Sequence, residues 1–260
     1  MMLPIKNLPP AARNSSVWTI VLLISTLAWI YTIQQSLHMP VSLPGTMGLQ
    51  AGQFLAFWLL MVLAMMLPTI APPISTFYEM RHEQAHGTLL YLRTGIFMFG
   101  YLLLWTLLGL PTFFFALLGQ HLALSTPFSA ITVGAASIVI AGCYQFTPIK
   151  TYCLAHCAFA TTHTCFPQQT SANTWLQDGQ AGVKHGLYCL GCCGALMFIL
   201  VPLGLMSLFW MIALTIIIFL EKALPPQVPL RIFIGIALLC LGLFAWIYPT
   251  LMPGFYLPPN

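Results

Sequence analysis

Residues 187–220 read LYCLGCCGALMFILVPLGLMSLFWMIALTIIIFL, an uncharged run that decides how often this chain crosses a membrane. As one helix the run would be about 51 Å long at ~1.5 Å per residue, far more than a hydrocarbon core of about 30 Å requires. Pro202 and Gly204 lie near its middle and supply a helix breaker and a turn residue. Two short spans joined by a tight turn therefore fit better than one long span.

Working outward, other apolar runs of spanning length cover Val17–Leu37, Gln50–Thr69, Tyr91–Leu118, Phe128–Phe146 and Arg231–Tyr248. With Gly182–Val201 and Leu205–Leu220 the reading gives seven spans. The first run follows a basic leader with Lys6 and Arg13 and exceeds a signal-peptide core, so it reads as a retained span. Composition agrees: 59% of the 260 residues are hydrophobic and 5% are charged, against about a quarter charged in soluble domains.

Charge placement tests the count. With the N-terminus inside, the inner segments hold Lys6, Arg13, Arg81, Arg93, Lys150, Lys184, Lys222 and Arg231, which is every Lys and Arg. A single span over the quoted run would put Lys222 and Arg231 outside. The expectation is one all-α domain over residues 1–260, a polytopic transmembrane bundle of about seven spans, N-in and C-out. An inner loop is expected at about 147–184. The charges are scattered among short loops, so the net charge of +4 gives no reason to expect a nucleic-acid partner. Membrane lipid is the expected surrounding.

Seven of the eight cysteines fall in or beside that loop: Cys143, Cys153, Cys157, Cys165, Cys189, Cys192 and Cys193; Cys240 does not. The inner side of a plasma membrane is reducing, so thiols are expected rather than disulfides. Cys189, Cys192 and Cys193 stand at i, i+3 and i+4, with His185 a turn before and Met197 a turn after. Cys153, His156 and Cys157 repeat the spacing if their segment is helical. Imidazole, thiolate and thioether donors favour Cu(I) or Zn(II) over hard cations. Lys150 and Lys184 would help keep these thiols ionised. A lone cysteine in an apolar helix is a small hydrophobe, and Cys240 is read that way; crowding of seven at one face argues for metal or redox chemistry.

The same residues resemble a family of bacterial integral membrane proteins described as predicted metal-binding. The matching segments are MMLPTIAPP (Met65–Pro73), AGCYQFTPIKTYCLAHC (Ala141–Cys157), HGLYCLGCCGALM (His185–Met197), GLMSLFWM (Gly204–Met211) and Glu221-Lys222. The resemblance implies a multispan fold, a bacterial inner-membrane location, and Cys153, Cys157, Cys189, Cys192 and Cys193 as metal ligands. Gly194 and Ala158 stand where the family pattern has an aromatic and an arginine. His156 and His185 are further candidate ligands or orienting partners.

Other motifs read more plainly. Met61, Met65 and Met66 at helical spacing read as packing. His82-Glu83-Gln84-Ala85-His86 matches a zinc-protease pattern, with Asp178 an imaginable third ligand. It sits in a short loop after Pro72-Pro73 and reads as a solvated segment. Glu221-Lys222 reads as an interfacial anchor. The leading expectation is a protein handling copper(I), or zinc, through a cytoplasm-proximal site, with a metal chaperone or a membrane complex as partner and no catalytic residue assigned. The alternatives are a thiol–disulfide oxidoreductase, a zinc protease built on His82, Glu83 and His86, and a non-catalytic subunit.

Overall fold

The structure, a computed structural model, describes residues 15–38, 44–82, 87–158, 175–224 and 230–256. Among them there are helices and turns and no strand. The elements are α1 (Ser15–His38), α2 (Ala51–His82), α3 (Thr88–Ser125), α4 (Pro127–Tyr144) and α5 (Pro148–Cys157). They continue with α6 (Trp175–Phe198), α7 (Leu200–Leu203), α8 (Leu208–Ala223), α9 (Leu230–Ile247) and a 3-10 turn at Pro249–Leu251. The chain is an all-α bundle.

Helix α2 overruns the expected end at Thr69 and continues through Pro68, Pro72 and Pro73 to His82. Each proline lacks the N–H that would bond the carbonyl four residues earlier, and in an apolar setting that carbonyl needs another donor. Ser25 of α1 donates to the Ala64 carbonyl at 2.9 Å, the group Pro68 leaves free. The sequence break is therefore repaired from a neighbouring helix.

The expected inner loop also contains more helix than foreseen. Pro148 opens α5, with the Thr147 hydroxyl accepting from the Lys150 N–H at the cap. Helix α6 starts at Trp175 instead of Gly182, because Asp178, polar enough to suggest a loop, is neutralised by Arg81 and Arg93 at 2.6 and 2.7 Å. Residues 159–174, which include His163 and Cys165, lie outside the described residues. Side chains at Gly100 and Gly182 would collide with the carbonyls of Gly179 and Phe97, so the backbones of α3 and α6 lie in direct contact.

The break expected near Pro202 and Gly204 is present: α7 ends at Leu203, Gly204 has φ +94°, and α8 starts at Leu208. Loop contacts sort the helix ends. Gly45 N–H donates to the Gly254 carbonyl (2.7 Å), Gly254 N–H donates to the Pro202 carbonyl (3.1 Å), and Thr46 bonds Gln120 at 2.6 Å. At the other end Arg81 and Arg93 hold Asp178, Lys150 holds Glu221, and Arg231 donates to Thr151. Among the described residues the chain thus passes between these two ends seven times. Six passes are long and apolar enough to cross a membrane. The other, α8, has 16 residues, about 24 Å at ~1.5 Å per residue. Large apolar side chains such as Leu27, Phe114, Phe209 and Phe244 cover the outer surface, each more than half exposed. Soluble proteins seldom expose so much apolar area.

Candidate metal centre

One face of α6 carries Asp178, Gly182, His185, Gly186, Cys189, Cys192, Cys193, Leu196 and Met197, all buried. The spacing is that of a single helical stripe. Against it packs α5, whose last residue, Cys157, is 1% exposed. The sulfurs of Cys157, Cys189 and Cys192 all lie within 4.8 Å of one another. Cys193 joins through a 3.1 Å contact between its sulfur and that of Cys192, which also donates to the Cys189 carbonyl at 3.2 Å.

The remaining named residues lie outside this trio, each in its own surroundings. Cys153, one turn before Cys157, is half-buried and rests on Gly191, where any side chain would overlap its sulfur. Burial pushes its thiol above the ordinary range. The Cys157 thiol is pushed well above the ordinary range, chiefly by its hydrogen bond to Cys189 and with a contribution from burial. His156 is stacked on Tyr188 with ring centroids 4.8 Å apart, its Nδ1 2.8 Å from the Tyr152 carbonyl oxygen. His185 is buried between Phe97 and Tyr101, at 6.2 Å from each ring, and neither ring nitrogen has a hydrogen-bond partner among the described residues. Cys143 and Cys240 are exposed.

Three groups at the centre escaped the sequence reading. Lys222 Nζ donates to Cys189 Sγ at 3.3 Å and to Thr69 Oγ1 at 3.0 Å, and Tyr101 Oη lies 3.2 Å from the same sulfur. Lys222 is 1% exposed and Glu221 5%, so this pair is not an interfacial anchor. A face signal existed: Met211, Leu214, Ile218 and Lys222 are spaced by three or four residues, the period of the buried stripe of α8.

The lysines expected to ionise the thiols are placed elsewhere. Lys150 is bound to Glu221 at 2.8 Å and to Gln145, and Lys184 is exposed. Asp178, imagined as a zinc ligand, is committed to two arginines. His82 ends α2 in an exposed position, while residues 83–86 lie outside the described residues. Met61, Met65 and Met66 are fully buried in the apolar core, as a packing role requires.

Buried, polarizable sulfur donors suit a soft ion. The donor group within 4.8 Å has three members among the described residues. Apolar helices of membrane-spanning length surround the buried thiols, and the class is an all-α bundle with a candidate soft-metal centre. The chain belongs to the PpoB2 copper chaperone family, whose sequence model matches residues 55–245. That stretch runs from α2 into α9 and contains Cys157, Cys189, Cys192 and Lys222. No curated protein and no solved structure matches the chain.

Proposed function

We propose that this chain is a multi-pass protein of the bacterial cytoplasmic membrane that accepts Cu(I) at Cys157, Cys189 and Cys192 and passes it on. The observation that carries this reading is the meeting of three buried sulfurs from two separate helices within 4.8 Å. Membership of a copper chaperone family supports copper as the ion and delivery as its use. Cys193 and the half-buried Cys153 extend the sulfur set, and His156 and His185 are its candidate auxiliary ligands or orienting groups. The orientation is N-in and C-out, because Arg81, Arg93, Lys150 and Arg231 gather at one end of the bundle and favour the cytoplasmic side. The centre then faces a reducing compartment, which keeps its thiols available. A soluble metal chaperone or a membrane complex on that side would exchange the ion.

The test is metal loading of the full chain in detergent under reducing, oxygen-free conditions. Wild-type protein should retain Cu(I) with a sulfur-dominated X-ray absorption signature, and Cys189→Ser and the Cys192→Ser/Cys193→Ser double variant should lose it. Equal copper content in these variants and wild type removes the assignment. A thiol–disulfide oxidoreductase is the second reading, favoured by the 3.1 Å contact between Cys192 and Cys193. Thiol trapping in intact cells separates the two: a metal site yields protected, reduced thiols, and a redox enzyme yields a mixed disulfide.

A further inference from the structure

We infer that Lys222 is a specificity-determining residue that favours a monovalent over a divalent ion at the cysteine centre; the inference rests on the copper reading above. Lys222 is 1% exposed, and its ammonium has two partners, the Cys189 sulfur at 3.3 Å and the Thr69 hydroxyl at 3.0 Å. The neighbouring carboxylate, Glu221, is already held through both oxygens by Lys150, at 2.9 and 2.8 Å. The polar partners of Lys222 are therefore a hydroxyl and a sulfur that also belongs to the trio.

Its position is fixed. Thr69 Oγ1 donates its proton to the Met66 carbonyl at 2.8 Å, so it presents only lone pairs to the ammonium. The ammonium has no lone pair and cannot itself ligate a metal. An ion bound to Cys189 at about 2.3 Å, toward Cys157 and Cys192, would lie on the order of 5 Å from Nζ. Repulsion between the two grows in proportion to the charge of the ion. At that distance and an effective dielectric of ~20, the second unit of charge lowers affinity on the order of 100-fold. Cu(I) incurs one unit of this repulsion and Zn(II) two. Soft sulfur ligation alone does not separate these ions sharply, since both accept thiolates.

The experiment measures Cu(I) and Zn(II) affinities of the full chain in detergent by competition with chromophoric chelators. The proteins compared are wild type, Lys222→Met, Lys222→Arg and Thr69→Val. Lys222→Met should lower the zinc-to-copper ratio of dissociation constants on the order of 100-fold. Lys222→Arg, which keeps the charge, should stay close to wild type, and Thr69→Val, which frees the ammonium to move, should fall between. A ratio in Lys222→Met equal to that of wild type overturns the inference, as does failure of arginine to restore it. If Lys222→Met does not fold, an unchanged ratio in Thr69→Val overturns the inference instead. Absence of Cu(I) binding by wild type overturns the copper reading and this inference with it. Loss of selectivity control alone leaves the copper reading standing.

Discussion

Lys150 and Lys222 are both fully buried near one end of the bundle, yet they meet opposite kinds of partner. Lys150 faces a carboxylate: both oxygens of Glu221 lie within 2.9 Å, and Gln145 completes the set. This pair neutralises itself and fastens α5 to α8. Lys222, the very next residue after Glu221, faces a sulfur instead. A thiol can exchange its proton for a soft ion, whereas a carboxylate locked to an ammonium has nothing to exchange. The comparison separates a group that holds the fold from a group that serves the chemistry, although sequence places them side by side.

Glu221→Ala breaks the first arrangement and should have the largest effect on stability. It strands Lys150 in an apolar interior, a loss of about 3–5 kcal/mol for a buried ion pair with one partner removed. Denaturation in detergent measures it, and a loss below about 1 kcal/mol would show the pair to be solvated. Gly191→Ala strikes both arrangements together, because a methyl there overlaps the Cys153 sulfur and pushes on α5, which carries both Lys150 and Cys157. Overpacking of this kind costs about 1–3 kcal/mol and should weaken copper binding as well. Unchanged binding would mean that the trio tolerates movement of α5. Ser25→Ala removes the donor to the Ala64 carbonyl. It should cost about 0.5–1.5 kcal/mol with no change in copper affinity, and a change in affinity would couple α1 to the centre. Lys222→Met should alter stability least, by less than about 1 kcal/mol, since an apolar replacement of similar shape leaves no stranded carboxylate. A loss as large as that of Glu221→Ala would erase the distinction between the two lysines.

Much of the architecture was legible because apolar run length and the positions of Lys and Arg are local properties. The turn at Gly204 and the buried stripe from His185 to Met197 could both be read from spacing. The continuation of α2 past Pro68 could not, since the rescuing donor, Ser25, lies far away in sequence. The early start of α6 depended on two arginines that neutralise Asp178. At the centre, spacing places Cys153 and Cys157 on one side of α5, but only packing decides that Cys157 is buried and Cys153 half-exposed. Lys222 was misread because a charge at a helix end usually seeks the interface, and its sulfur partner comes from another helix.

The backbone bonds from Gly254 to Gly45 and to Pro202 carry a consequence for mapping the protein in cells. They stitch the tail, the connection before α2 and the turn before α8 into a single cap, and Gln120 reaches the same cap through Thr46. Reporter groups attached beside Gln120 and beside Tyr256 must consequently respond alike to any reagent that cannot permeate the bilayer. If one were modified and the other protected, the cap could not exist in cells.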